Sequence, residues 1–357
     1  MRAAGLISTL TVPKGPIRAL AIAPDGTWLA LANGKTVSIW NVDGAPRATL
    51  TGHKGVVSGL AISPDGTWLA TGSADGTACI WAVDGTHRAT VISREGLGTA
   101  LAAIAPDGTW LVLTSGKTVS ILNIDGTRRF TLTTGSLYGT RLAIAPDGTW
   151  LATAYGRKLQ IAAADGTPGV TVTDTGHKIV ATVAIAPDGT WLATAGSGDG
   201  TVRLWGLDGS CRATLTGRMP WVPAGAVIQT RLAIASDGTW LAAASGHMAM
   251  IWAADGTPRA TLTGGFHGLA GDLVIAPDGT WLALASGTAV SIFGRGGTTG
   301  TLGQVFRHRT LASGSPAAAA ALAIAPDGTW LATCTWDTVQ IWDTAQVWAA
   351  ARATAPQ

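Results

Sequence analysis

The chain has 357 residues, 47% of them hydrophobic and 13% charged, with 48 glycines and a formal net charge of +3. That balance excludes a disordered chain and suits short buried strands joined by tight turns. The charge is too small to imply a nucleic-acid or membrane-surface partner, and no uncharged apolar run approaches the ~18–20 residues a bilayer span requires. The N-terminal MRAAGLISTLTVPKGP has one arginine and a short apolar stretch but no convincing signal-cleavage site, and the same residues have a use as a strand.

In chain order, the first clear element is the apolar run Leu20–Ala23, followed by Pro24-Asp25-Gly26. There proline presets φ and glycine accepts a positive one, so the segment reads as a tight turn. Thr27–Ala32 (TWLALA) alternates as a strand does, and Asn33-Gly34 is a reversal signal. Thr36–Trp40 (TVSIW) is β-branched and aromatic, Val42–Gly44 turns again, and Arg47–His53 (RATLTGH) completes a fourth strand. The pattern then starts over. Its tryptophan recurs at Trp28, Trp68, Trp110, Trp150, Trp191, Trp240, Trp281 and Trp330, with spacings of 40, 42, 40, 41, 49, 41 and 49. Eight units of four short antiparallel strands cannot bury both sheet faces alone. Face-to-face stacking in a closed ring, an all-β eight-bladed propeller, is the predicted solution.

Blade two, TGHKGVVSGLAISPDGTWLATGSADGTACIWAVDG, resembles a WD-repeat β-propeller, and the likeness runs from about residue 8 to 343. Its self-similar repeats are of a bacterial style. The resemblance implies a structural tetrad at His53, Thr71, Asp75 and Trp81, and a second at His177, Thr194, Asp199 and Trp205. A loop histidine bonded to a turn aspartate, a strand hydroxyl and an indole N–H would tie loop to strand and satisfy buried polar groups. Other blades depart from the family: Leu122, Ala162 and Phe293 replace the tryptophan in blades three, four and seven, while Trp40 and Trp252 stand without the other members. Family order places the outermost strand of each blade at the start of the next repeat. Ile7–Gly15 aligns with Arg47–Gly55, so the N-terminal strand closes blade eight; Arg352–Thr354 competes for that place. Residues 1–343 then form one propeller, and 344–357 a tail.

The resemblance also implies two faces. One would carry the turns of Asp25, Asp65, Asp107, Asp147, Asp188, Asp237, Asp278 and Asp327, and those of Asp43, Asp84, Asp125, Asp165, Asp208 and Asp255. Together these are fourteen of the 21 acidic residues. The opposite face collects basic loops, and the long spacings place the insertions Gly217–Thr230 and Arg307–Ala321 there. Lys54, Arg94, Lys178, Arg218, Trp221, Arg307 and His308 form the predicted partner-binding rim, with Trp221 as an exposed anchor. Trp336 lies in a neighbouring loop, where covering apolar surface is its simpler use.

No catalytic motif is present. The six histidines include no H-x-x-x-H pair, Glu95 is the only glutamate, and no G-x-S-x-G elbow or P-loop occurs. The three cysteines lack metal or disulfide spacing, and no cofactor or metal is implied. The expectation is a cytoplasmic, monomeric, non-catalytic scaffold for a protein or peptide, acidic or phosphorylated, with neither nucleic acid nor membrane as partner. Three other readings stay open: a sensor module of a larger bacterial signalling ATPase or kinase, a recently amplified or designed propeller without an evolved ligand, and a lectin. The lectin would stack sugars on the ring of motif tryptophans, which otherwise pack between blades.

Overall fold

Each PDGT stretch closes on itself before any tertiary contact is needed. In the first, Ala23 N–H donates to the Trp28 carbonyl and Gly26 N–H to the Ala23 carbonyl, both at 2.9 Å. The Asp25 carboxylate accepts from the Thr27 N–H at 3.0 Å and from its hydroxyl at 2.8 Å. Gly26 has φ of 67°, a left-handed value that side-chain-bearing residues avoid, which explains the invariant glycine within the repeats. Equivalent aspartate–threonine bonds recur in the other seven turns.

In the computed structural model these hairpins assemble into an all-β eight-bladed propeller. The structure describes residues 5–12, 16–92, 101–134, 140–197, 199–216, 230–245, 248–263, 270–286, 289–295, 302–309, 321–334 and 337–347. Among them, thirty-two strands form eight antiparallel sheets of four. Blade one runs outward from the axis as Ile17–Ile22, Trp28–Asn33, Thr36–Asn41 and Pro46–Leu50. Blade eight is composite. Its strands Leu322–Ile324, Trp330–Cys334 and Thr338–Asp343 are completed by the N-terminal Leu6–Thr11, with Leu10 opposite Val339. The Arg352–Thr354 alternative lies outside the described residues. A short helix over 344–347 follows, and Val347 packs against the core between blades seven and eight.

The core is a set of layers between blades, because strand side chains alternate between two faces and each face meets a neighbour. Trp28, Ala30, Val37 and Ile39 of blade one pack with Leu69, Cys79 and Trp81 of blade two. Leu29 and Leu31, on the other face, join Trp330, Ala332, Val339 and Ile341 of blade eight. Alternating alanine with leucine and tryptophan lets one blade's bulk enter its neighbour's hollow. Each fully buried Leu side chain contributes about 1.5–3 kcal/mol relative to exposure.

Closure of the ring has its own polar bonds. The Trp330 indole N–H donates to the Gly26 carbonyl at 3.0 Å, and the Ser8 hydroxyl to the Val42 carbonyl at 2.7 Å. The PDGT turns also nest against one another. A methyl group built on Gly66 would touch the Pro24 ring, and Gly108, Gly148, Gly189, Gly238 and Gly328 each sit likewise against the preceding blade's proline. Blade six has Ser236 in place of that proline, and its hydroxyl donates to the Pro277 carbonyl of blade seven.

The eight motif tryptophans are only 2–9% exposed. They fill the spaces between blades and leave no open ring face of the kind a stacked sugar needs.

Candidate functional site

The two faces differ in how their polar residues are used. On one, the first turn of blade one meets the third: Val42 N–H donates to the Thr27 carbonyl at 3.2 Å. Asp43, Asp84, Asp125, Asp165, Asp208 and Asp255 each accept the backbone N–H two residues on. All fourteen turn aspartates are thus engaged in their own turns. The Thr149 and Thr190 bonds hold the carboxyls of Asp147 and Asp188 below the usual range. This acidic face is accounted for by turn geometry.

The opposite face is built on loops that enter each blade. In blade two, His53 Nε2 is hydrogen-bonded to the Thr71 hydroxyl at 2.8 Å, and the Trp81 indole N–H donates to the same oxygen at 2.9 Å. His53 Nδ1 lies 3.1 Å from the Thr77 hydroxyl and 3.4 Å from Asp75 Oδ2. Asp75 also accepts the N–H groups of Lys54 and Gly55, at 2.7 and 3.1 Å, and that of Thr77 at 2.9 Å. Burial works against the Asp75 charge, yet the Thr77 hydroxyl and these amides hold its carboxyl well below the usual range. Burial pushes the His53 imidazole below its ordinary value, opposed by Asp75.

Blade five repeats the arrangement. His177 is bonded to Asp199 and to the Thr194 hydroxyl, each at 3.0 Å, and the Trp205 indole donates to Thr194 at 2.8 Å. Burial opposes the Asp199 charge, but bonds from His177 and Thr201 hold that carboxyl below its usual range. In blade eight the Trp342 indole donates to the Thr333 hydroxyl at 3.2 Å.

These networks hold up what the loops display. Lys54 and Lys178 are exposed, each directly after its histidine. Beside them Val56 and Ile179 are 40% and 54% exposed, two of the few large apolar side chains the described surface presents. A cation next to an aliphatic group thus appears on two rigid loops, in blades two and five. Single-letter motifs highlighted the lysines; the aliphatic neighbours become visible only once their exposure is known.

Arg94, Arg218 and Trp221, and with them Trp336, lie outside the described residues. Arg307 and His308 are not in a loop, as their place in a long insertion suggests. They belong to the outer strand of blade seven, Leu302–Arg309, opposite Ser291 and Val290. The reason is that the ladder continues to Ala289 opposite Arg309, so pairing extends through VFRHR and leaves the insertion on either side of it. They sit at the periphery, at the loop-rich end of that strand, not over the channel.

A further charged group, unremarked in the repeat pattern, lines the inner strands. Arg141 begins the inner strand of blade four (Arg141–Ile144), and Arg231 that of blade six (Arg231–Ile234). Both are half-buried. Arg141 Nε donates to the Ala181 carbonyl of blade five at 2.6 Å. Burial, with the Arg231 charge adding to it, holds the Arg141 guanidinium below the ordinary arginine range. Asp272 of blade seven accepts the N–H of Leu273 at 3.0 Å and that of Leu322 at 3.2 Å. Burial pushes its carboxyl above the usual range, against the pull of Arg231. Among the cysteines, Cys79 and Cys334 are buried and Cys211 is exposed, all as free thiols; burial pushes the Cys334 thiol up.

Four stretches of the chain, residues 5–41, 44–82, 169–206 and 307–343, match the WD domain, G-beta repeat. Together with the eight blades, these repeats fit a WD-repeat β-propeller. The second and third stretches hold the two histidine networks, and the first and last begin on the outer strand of the preceding blade. No curated protein matches the sequence. Among solved structures the chain is similar to Sqt1 from Chaetomium thermophilum, with a TM-score of 0.78 at 19% identity over 96% of this chain and 100% of that one. The same protein bound to the N-terminus of the ribosomal protein L10 aligns with a TM-score of 0.78 at 18% identity, over 96% and 100% of the two chains. A further Sqt1 structure gives 0.78 and 18%, over 96% and 98%.

Proposed function

We propose that the protein is a non-catalytic binding platform, monomeric and cytoplasmic, that takes a protein or peptide on its loop-rich face. The observation that carries this reading is the pairing of exposed Lys54 with Val56, and of Lys178 with Ile179, on loops anchored by the buried His53–Thr71 and His177–Thr194 hydrogen bonds. An acidic peptide with one or two aliphatic residues is the complement of that surface, its charges steering and its apolar groups anchoring. Arg94, Arg218 and Trp221 complete the proposed contact set from outside the described residues, and Arg307 and His308 join it from the outer strand of blade seven. A fold neighbour that binds the N-terminus of a ribosomal protein is in keeping with a peptide ligand.

The test is selection from a displayed peptide library against the intact propeller. Enriched peptides should be acidic with an aliphatic residue, and their affinity should fall at least about tenfold on combining Lys54→Glu with Lys178→Glu. Trp221→Ala should weaken them further. Enrichment of basic peptides, or equal binding by the variants, would remove the loop-rich face from consideration.

A further inference from the structure

The chain holds two His-Lys pairs, His53-Lys54 and His177-Lys178, and the loops they open are held alike. In blade two the Val56 carbonyl accepts the Ala74 N–H at 2.8 Å, and the Val57 N–H reaches across to the Gly34 carbonyl of blade one at 2.7 Å. In blade five the Ile179 carbonyl accepts the Ser197 N–H at 2.8 Å, and the Val180 N–H reaches the Gly156 carbonyl of blade four at 2.7 Å. Val56 and Ile179 therefore occupy the same slot, pinned by the same backbone bonds, although Gly55 has no counterpart in blade five.

The cations match as well. The hairpin that receives the Val57 N–H continues from Gly34 into Lys35, and the one that receives the Val180 N–H continues from Gly156 into Arg157 and Lys158, all exposed. Arg157 takes the place of Lys35, but its guanidinium is bonded to both oxygens of Asp174, at 2.9 and 2.8 Å. Lys158 follows it, so each loop keeps two lysines: Lys35 with Lys54, and Lys158 with Lys178. Among the described residues none of these four ammonium groups forms an ion pair with a carboxylate.

Blades three and four stand between the two loops. Sheets packed face to face lie about 10 Å apart, so three blade steps around the ring set the loops more than about 20 Å apart. A five-residue peptide spans at most about 18 Å, so one short segment seated on blade two cannot also occupy blade five.

We propose that the loop-rich face carries two equivalent sites, one on each His-Lys loop, and that its partner is a protein segment presenting the same acidic and aliphatic element twice. This rests on the peptide-binding reading above and adds its stoichiometry. Each loop offers one aliphatic side chain and two charges, so a single element is held weakly. Joining two elements makes the second contact intramolecular, and affinity rises without any new contact. Two matching loops held at a fixed separation by a rigid ring are suited to that gain.

Isothermal titration of the full chain with two synthetic probes tests this. One is the blocked pentapeptide Asp-Leu-Asp-Leu-Asp; the other is two copies of it joined by sixteen glycine and serine residues, a linker with a mean span of about 20–24 Å. The single probe is expected to fill two sites per chain with similar affinity. Lys54→Glu and Lys178→Glu, both exposed, should each reduce that to one site. The tandem probe should bind one-to-one and at least about tenfold tighter than the single one, and either variant should abolish the gain. One single probe per chain, weakened by both variants, would keep the peptide-binding reading and overturn the two-site proposal. So would two sites with no gain from the tandem probe. Equal or tighter binding of Lys-Leu-Lys-Leu-Lys, or no binding of either acidic probe, would overturn the reading and the proposal together.

Discussion

Blades one and two carry a tryptophan at the same place on the third strand, and the two indoles live differently. Trp81 donates to Thr71, which is also bonded to His53. Trp40 has no such partner, because Leu31 occupies the position of Thr71; its buried Nε1 makes no hydrogen bond. Yet both blades have the same four strands, the same turns and the same tryptophan–alanine face against the next blade. The histidine network is therefore not what shapes a blade here. Turn chemistry and packing between blades do that, and the network fixes a loop.

The largest effect should fall on what the two blades share. Trp28→Ala and Trp68→Ala are each expected to cost about 3–5 kcal/mol in urea unfolding, as deletion of a buried tryptophan does. A much smaller loss in blade two would mean its network carries the blade after all. Next comes the feature that separates them. Trp81→Phe should cost about 1–2 kcal/mol, since it takes a donor from a buried hydroxyl, whereas Trp40→Phe removes an unsatisfied N–H and should stay within about 1 kcal/mol of zero. Equal losses at both sites would contradict the contrast.

Acid should sharpen the comparison more gently. The folded His53 value lies below 6.5, so its contribution is complete above that pH and is lost as pH falls through the lowered value. Asp75, depressed from 3.8, adds a second loss of the same sign at lower pH. Hydrogen exchange corrected for intrinsic rates should show protection around Thr71 falling as pH drops below 6.5, while that around Leu31 holds. Loss of protection in both blades alike would assign the acid response elsewhere. The smallest effect is expected for Asp107→Ala, within about 0.5 kcal/mol in the same unfolding measurement, because only the two exposed bonds from Thr109 are lost, in one of eight similar turns. A larger loss would show that the turn ring bears more than its own geometry.

Much of this was legible in the residues. The PDGT period counts the blades, and Ile7–Gly15 aligned with Arg47–Gly55 anticipates the composite last blade, because turn residues and strand alternation are local properties. The histidine networks were readable through the resemblance of blades two and five to a WD repeat, even with one residue inserted before Asp199. Arg141 and Arg231 were not. Each is one departure from alanine in a short inner strand, and nothing local says that departures in blades four, six and seven share a level of one wall. Arg307 and His308 failed differently, since extra length reads as a loop although the outer strand keeps pairing through it.

The composite blade also sets an order of events during synthesis. Leu6–Thr11 emerges before the other described strands, and its partner Thr338–Asp343 after them. Every other blade takes its strands from one contiguous stretch of chain, but this one waits until the other seven have been made, so the longest loop is closed after theirs. Until then the growing chain is an open arc whose terminal blade exposes an unpaired edge, the species most prone to join a second copy. Closure thus rests on the meeting of Leu6–Thr11 with Thr338–Asp343, and a nascent chain halted short of Thr338 has no ring to complete.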